Sequence, residues 1–524
     1  MKKNNQKINV LLFKVPDCEF PGEESSNNDL RVSYTYHKPL ISCALAFLGA
    51  FIKKYGGDHF NVNLVDISID CLLESENEQV ITSIVKEKIK DFFNSEEYDV
   101  IGLSTMFLRN DEWTHYVAGL SLSKNPSAPI ILGGGYATLE PKASLMNTNA
   151  DYAVLGEGED TFLYLLNKIF CIKNNLFNEK FPNISGYAYW ENGDVKVIPK
   201  TTYIEELNLL PRPSWDEMRG KEYFSLFTEP KSMGYFPVMI TRGCPYRCTF
   251  CSVSKYVGRT MRCRSPEIVL ADIDYFYNKY KFKRLVFIDD DVNVNRDVYH
   301  SVLRGLIKRK YDFECNAFYV AINALCEETI KLMADVGMKR ILLPVETGSP
   351  RMQKEIKKFI NLEKAKKAVE WAKKYDFNVS TNFMVGFPQE TMEDIQQTLD
   401  FACEIKAHQT AFWVVTPWSG TELFDFAIEN NFLQDHDGPQ RNKRGYRDIG
   451  HFVNVKFDYQ VIKDLTYDFN IRLNFLSHSW LEEPRHYNDL LVYWQQLEAG
   501  LPKHAILFVC LGYLSKKMGK MDEA

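Results

Sequence analysis

Long apolar runs are missing from this 524-residue chain. The two longest, Leu40–Ile52 and Ala505–Leu514, fall short of the roughly 20 residues that cross a bilayer and read as buried helices. Also missing is a charged-then-apolar start with a small-residue cleavage site. The first residues are therefore expected to belong to the mature protein, and the protein to be cytoplasmic. Charge of one sign is scarce: 63 Lys and Arg against 69 Asp and Glu leave a net −6. That balance offers no general attraction to nucleic acid or to anionic membrane surfaces. Low-complexity segments and sequence repeats are absent as well. Cysteine is thin, at twelve residues, a number that would suit a disulfide framework only in a much shorter chain. Nine are scattered singly and read as small buried hydrophobes. Three stand together, and in a reducing compartment a tight group reads as a metal site before a set of disulfides.

What is present is ordinary globular composition, 45% hydrophobic and 25% charged, in a chain long enough for two or three domains. Apolar strands are expected at Ile8–Val15, Asn61–Ile67, Asp99–Ser104, Pro129–Gly133 and Tyr152–Leu155, with helices near Leu40–Lys54, Gln79–Phe93 and Glu112–Leu122 between them. That alternation predicts an α/β unit over residues 1–200 with an open parallel sheet covered on both faces. The polar stretch 174–183 and Pro211-Arg212-Pro213 read as a boundary. A second series begins at Phe236, with strands at Pro237–Thr241, Arg284–Asp289, Asn316–Ala321, Arg340–Glu346, Asn378–Gly386 and Thr410–Thr416. Six β/α units over residues 230–435 predict a partial (β/α)6 barrel, short of the closed eight-stranded form. Beyond about His436 the alternation stops, and residues 436–524 read as a small helical module.

The first barrel strand runs into Arg242-Gly243-Cys244-Pro245-Tyr246-Arg247-Cys248-Thr249-Phe250-Cys251. Three thiolates spaced C-x3-C-x2-C can reach three irons of one cubane if the loop curls around it, and iron–sulfur clusters are usually held by four. One iron is then open to a non-protein ligand such as the amino and carboxylate groups of S-adenosylmethionine (SAM). Gly243 permits the sharp turn out of the strand, and the C-terminal end of a barrel strand is where such folds keep their chemistry. The alternatives are a zinc site, which would want a fourth ligand from a second C-x2-C or an H-x3-H, or three unrelated thiols. No such ligand pair is near, although Cys263 lies twelve residues on.

With Phe250 as its aromatic, the loop resembles the C-x3-C-x-aromatic-C signature of the radical SAM superfamily. The resemblance runs from about Phe236 to Leu423. It implies a [4Fe–4S] cluster on Cys244, Cys248 and Cys251, and a SAM amino group held near Asp289, Asp290 and Asp291. It also implies a polar contact from Glu346 within Val345–Ser349, and a strand-end motif at Met384–Thr391 that includes Gly386. In the N-terminal unit, Ser104 and Thr105 end one strand, Gly133-Gly134-Gly135 the next, and Gly156-Glu157-Gly158-Glu159 the one after. Glycines at the carboxyl ends of parallel strands let a large ligand approach the backbone. Set ahead of the cysteine loop, this series is similar to that of the cobalamin-binding radical SAM subfamily. The resemblance implies a Rossmann-like domain in which Ser104, Thr105, Gly133 and Gly134 cradle the cobalamin nucleotide tail and the Gly156–Glu159 segment lies near the corrin edge.

Two departures stand out. Typical relatives carry D-x-H-x-x-G after the first strand, where this chain reads Asp17-Cys18-Glu19-Phe20-Pro21-Gly22 with Glu19 in the histidine position, and Tyr136 follows the glycine triplet where relatives often have histidine. The implied reaction is methylation of an unactivated carbon, with SAM serving both as methyl donor through cobalamin and as source of a 5′-deoxyadenosyl radical. The implied partners are a small-molecule or peptide substrate and a low-potential donor of flavodoxin or ferredoxin type. The alternatives are cyclisation, rearrangement or epimerisation with the same parts, a methylthiotransferase, a sheet that has lost cobalamin, and a non-enzymatic cobalamin carrier. The methylthiotransferase would need a second cluster, and Cys18, Cys43 and Cys71 do not form that family's pattern.

Overall fold

The inner strands of the first sheet are largely apolar because both of its faces are covered. In the computed structural model the described residues are 7–16, 31–33, 41–67, 79–106, 111–225, 235–433, 452–453, 455–500 and 504–520. The Asp17–Gly22 stretch with Glu19, and the boundary at His436, lie outside them. Among the described residues nine strands precede the barrel: β1 (Ile8–Lys14), β2 (Arg31–Ser33), β3 (Phe60–Val65), β4 (Gln79–Ile81), β5 (Val100–Thr105), β6 (Ile130–Gly134), β7 (Tyr152–Val154), β8 (Tyr187–Glu191) and β9 (Asp194–Ile198). Seven of them form one sheet in the order β3-β1-β5-β6-β7-β8-β9, while β2 and β4 pair separately. Along β1, Val10 and Leu12 face the helices Cys43–Gly56 and Glu159–Ile169, and Leu11 and Phe13 face Thr82–Ser95 and Asp111–Lys124. The first five strands of that order are parallel, as expected. The last two, β8 and β9, add an antiparallel hairpin that makes the sheet mixed. Its alternating, half-exposed Tyr187–Glu191 and Asp194–Ile198 carry too few apolar residues to register as strands in a reading by hydrophobic runs.

The second series gives β10 (Phe236–Val238), β11 (Thr241–Arg242), β12 (Arg262–Cys263), β13 (Arg284–Phe287), β14 (Glu314–Ala317), β15 (Arg340–Glu346), β16 (Asn378–Val385) and β17 (Gln409–Val414). Six are parallel barrel staves in two hydrogen-bonded arcs, β10-β13-β14 and β15-β16-β17. Helices start where side chains can accept the orphan N–H groups of a first turn: Asn295 caps Arg296–Arg309, and Thr391 with Asp394 forms a capping box on Met392–Ile405. One apolar core runs without interruption from Val10 in the first sheet and Phe51 on the helix Cys43–Gly56 to Phe287 and Phe383 in the barrel.

The C-terminal helices close the edge that an open barrel leaves. Asn470 and Asn474, one turn apart after Tyr459, present their amides to β17. Asn470 accepts from Phe412 N (2.9 Å) and donates to Phe412 O (3.0 Å); Asn474 does the same at Thr410 (2.9 and 2.5 Å). Two side chains thus take the place of a seventh strand on an edge that would otherwise be free to pair. Among the described residues, no helix is long and apolar enough to cross a membrane.

Candidate cluster and cofactor site

Short strands β11 and β12 pair antiparallel, Thr241 opposite Cys263 and Arg242 opposite Arg262. The cysteine loop is the excursion between them. At its first bend Gly243 has φ 106°, and a side chain there would run into the Thr260 carbonyl, so the position requires glycine. Three backbone bonds stitch the loop down: Cys244 N to Gly258 O (3.1 Å), Thr249 N to Ile356 O (3.0 Å) and Leu423 N to Thr249 O (2.8 Å). Phe250 places its ring 6.0 Å from that of Phe387, in an apolar cluster with Met352, Ile356 and Leu423. It anchors the loop to the strand-end motif rather than facing the loop's interior.

Cys244, Cys248 and Cys251 are half-buried and unbridged. Burial pushes all three thiols up, Cys248 to about 11, and Asp291 raises Cys244 further, accepting from its Sγ at 3.0 Å. Metal binding would therefore displace protons from neutral thiols. Among the described residues no three Cys, His, Asp or Glu groups converge on a single-ion site. Three thiols on one loop, each able to take a separate iron of a cubane, fit a cluster as donors. Cys263 sits in β12, at the stem, with its thiol toward Asn295.

The three aspartates after β13 divide their work. Asp289 Oδ1 accepts from Ile240 N (2.9 Å), Thr241 Oγ1 (2.7 Å) and Thr241 N, tying β13 to the loop stem, while its Oδ2 is buried without a partner. Burial pushes Asp289 up to about 6, and burial with flanking carboxylates pushes Asp290 to about 7. Asp291 faces Cys244. Across the site Glu346 ends β15 beyond a bulge, with φ 70°, a conformation costly for a non-glycine residue and typical of functional positions. Gln353 Nε2 holds that turn through Val345 O (2.9 Å) and Thr347 O (2.7 Å). Glu346 pairs with Lys358 (3.3 Å); burial works against the charge of that ammonium, and Glu346 foremost, with Asp291, outweighs it. Gly386 has φ 93° with Ile462 against its open side, and its N–H, with that of Phe387, goes to Glu390 Oε2 (2.6 and 3.2 Å).

In the first sheet Ser104 pairs in register with Gly133, and Thr105 with Gly134. A side chain at Gly133 would project into open space, a cradle suited to a large ligand; at Gly134 (φ 91°) and Gly135 it would strike the carbonyls of Thr105 and Met106. Thr105 Oγ1 is spent on Thr114 (2.8 Å). Gly156 (φ 68°) packs against the carbonyls of Lys255 and Tyr256. The Glu157 carboxylate is occupied by Arg262, at 2.5 and 2.9 Å. The cysteines, the aspartates and Glu346 are candidates from the sequence; Lys358, Arg242 and Arg262 join them only in the fold. Two arginines at the ends of a cysteine loop, facing an unpaired Gly-Glu-Gly-Glu turn, were the available signal.

Residues 238–402 match the radical SAM superfamily and residues 44–166 the B12 binding domain. The chain is 28% identical over 405 residues to an uncharacterized methyltransferase of Pyrococcus horikoshii, covering 77% of this chain and 81% of that one. It is 25% identical over 476 residues to cytidylyl-2-hydroxyethylphosphonate methyltransferase of Streptomyces wedmorensis, covering 82% and 85%. Its fold is similar to that of the radical SAM methyltransferase TsrM of Kitasatospora setae, solved with cobalamin and a [4Fe–4S] cluster bound: TM-score 0.63, 15% identity, 82% of this chain and 81% of that one. The chain thus joins a B12-binding domain to a radical SAM domain, and is a cobalamin-dependent radical SAM enzyme; its two domains imply a [4Fe–4S] cluster, SAM and cobalamin as cofactors.

Proposed function

We propose that the enzyme methylates an unactivated carbon of a small-molecule or peptide substrate. The observation that carries this reading is the packing of Gly156, at the end of β7, against Lys255 and Tyr256, which follow Cys251 by only a few residues. This packing sets the turn after β7 beside the helix that follows the cluster loop, which supports a substrate space shared by the two cofactors. The methyltransferase names of two relatives support the same reaction class. Cys244, Cys248 and Cys251 would hold the cluster, and Ser104 and Gly133 would cradle the nucleotide tail. When bound, these cofactors supply a 5′-deoxyadenosyl radical for hydrogen abstraction and a methyl group for transfer.

The residues of the chain position and insulate. The Asp290 carboxyl and the unpartnered Oδ2 of Asp289 offer acceptors to the SAM amino group, and Lys358 offers a cation to its carboxylate. Glu346, fixed by its strained turn, orients the remainder; holding reacting groups in one geometry is where the protein's share of the rate arises. At the end of β17, Trp413 stands 53% exposed, an apolar wall available to substrate. A low-potential protein of flavodoxin or ferredoxin type would deliver electrons.

The test incubates the reconstituted, reduced enzyme with methyl-deuterated SAM and an extract of small molecules from the source cells. A product should gain one deuterated methyl group, with one S-adenosylhomocysteine and one 5′-deoxyadenosine formed per turnover. A product of unchanged or lower mass, with no S-adenosylhomocysteine, would replace methylation by cyclisation or dehydrogenation.

A further inference from the structure

Arg242 and Arg262 are cross-strand partners at the stem of the cysteine loop, so their side chains leave one hairpin side by side. Glu157 and Glu159 are two residues apart in the turn after β7. The two pairs meet fork to fork. Arg262 donates to Glu157 at 2.5 and 2.9 Å, and Arg242 to Glu159 at 2.6 and 3.1 Å, with a further Arg242–Glu157 approach of 3.5 Å. All four side chains are a tenth exposed or less. The segment joining the domains covers them: Tyr203 lies under the Arg262 guanidinium, 5.1 Å from its ring centroid, and Ile204 O accepts from Arg262 at 2.9 Å. Beyond the stem, the loop helix Val253–Val257 presses the Tyr256 carbonyl on Gly156 and its hydroxyl near Gly135.

Bidentate arginine–carboxylate pairs fix orientation as well as distance. Buried in low dielectric, they resist sliding, because any displacement leaves charge unpaired. Neither arginine reaches a cluster thiol, and neither glutamate is free to bind a cofactor, so ligation does not explain them. We propose that Glu157, Glu159, Arg242 and Arg262 are positioning residues: a clasp that fixes the cluster loop relative to the cobalamin crevice and couples occupancy of one site to the other. This rests on the strand-end crevice at Ser104 and Gly133 being the cobalamin site.

The experiment uses the full chain with its cluster assembled. Hydroxocobalamin is added and backbone hydrogen exchange is followed by mass spectrometry. Exchange should slow by about tenfold or more in residues 253–263 as well as in 130–139, as expected for coupled sites. Slowing in 130–139 alone would overturn the clasp; no slowing in 130–139 would overturn the crevice assignment beneath it. In a second arm, cob(II)alamin and the reduced cluster serve as the two spins of a pulsed dipolar measurement. One narrow distance is expected for the natural sequence, and a broadened distribution for Glu159→Gln and Arg242→Lys. A distribution left as narrow in both variants would overturn the proposal. Should either variant fail to fold, the exchange measurement on the unaltered protein still decides it.

Discussion

The Nζ of Lys358 lies 3.3 Å from Oε1 of Glu346, a residue whose backbone is in the left-handed region at φ 70°. A cation beside Cys248 and Asp291 is thus anchored by a carboxylate that the chain holds at a conformational cost. Lys358→Met should leave the cluster assembled and weaken SAM by at least about thirtyfold, equivalent to roughly 2 kcal/mol for one member of a buried charge pair. The readout is the SAM-induced change in the electron paramagnetic resonance of the reduced cluster. An unchanged SAM titration would remove Lys358 from the site.

Reconstituted protein should hold about four irons, one cubane. Replacing Cys244, Cys248 and Cys251 together by Ala should abolish the brown absorption. Cys263→Ala should keep it, since that thiol lies in the β11–β12 stem. Full iron content in the triple variant would refute the ligand assignment.

The glycine pair at the end of β6 separates binding from folding. Gly133→Val points into open space and should change stability by no more than about 0.5 kcal/mol while sharply weakening hydroxocobalamin. Gly134→Ala meets a positive φ and the Thr105 carbonyl, and should lose about 1–3 kcal/mol of stability. Thermal melts alongside cobalamin titrations distinguish the two.

Acid should loosen the C-terminal module. His408 Nδ1 accepts from Val379 N (3.0 Å) and His478 Nδ1 from Trp480 N (3.1 Å), so both rings must stay neutral. Burial leads the causes that lower them, to about 4 and about 3. With folded values below the unfolded one, their contribution is full above about pH 6.5 and fades as pH falls toward 4. The loss at about pH 5 is on the order of 2 kcal/mol per ring. Melting temperature should fall from pH 7 to 5, and less steeply in His408→Gln; a flat profile would contradict this.

Local pattern determined a great deal. Apolar runs bounded by turn residues located β1, β5 and β6, because a strand buried on both faces has to be apolar throughout; among the barrel staves β14 departs, since Glu314–Ala317 is partly polar and mostly half-exposed and begins before the expected Asn316–Ala321. The helices Pro266–Tyr280 and Met392–Ile405 end where their periodicity does. The cysteine spacing is a local signal, since three donors within eight residues need no distant partner to form a candidate site. Whatever depends on contacts across the fold was decided only by tertiary structure. The β8–β9 hairpin is stabilised by its neighbour β7 more than by its own hydrophobicity. Asn470 and Asn474 are unremarkable polar residues on a helix until β17 presents an unpaired edge. Lys358 enters the site because the chain turns back after Glu346. Glu157, placed by its motif beside a corrin ring, is instead taken up by Arg262, 105 residues away. A carboxylate's partner is chosen by which cation the fold buries beside it, and sequence spacing carries no record of that choice.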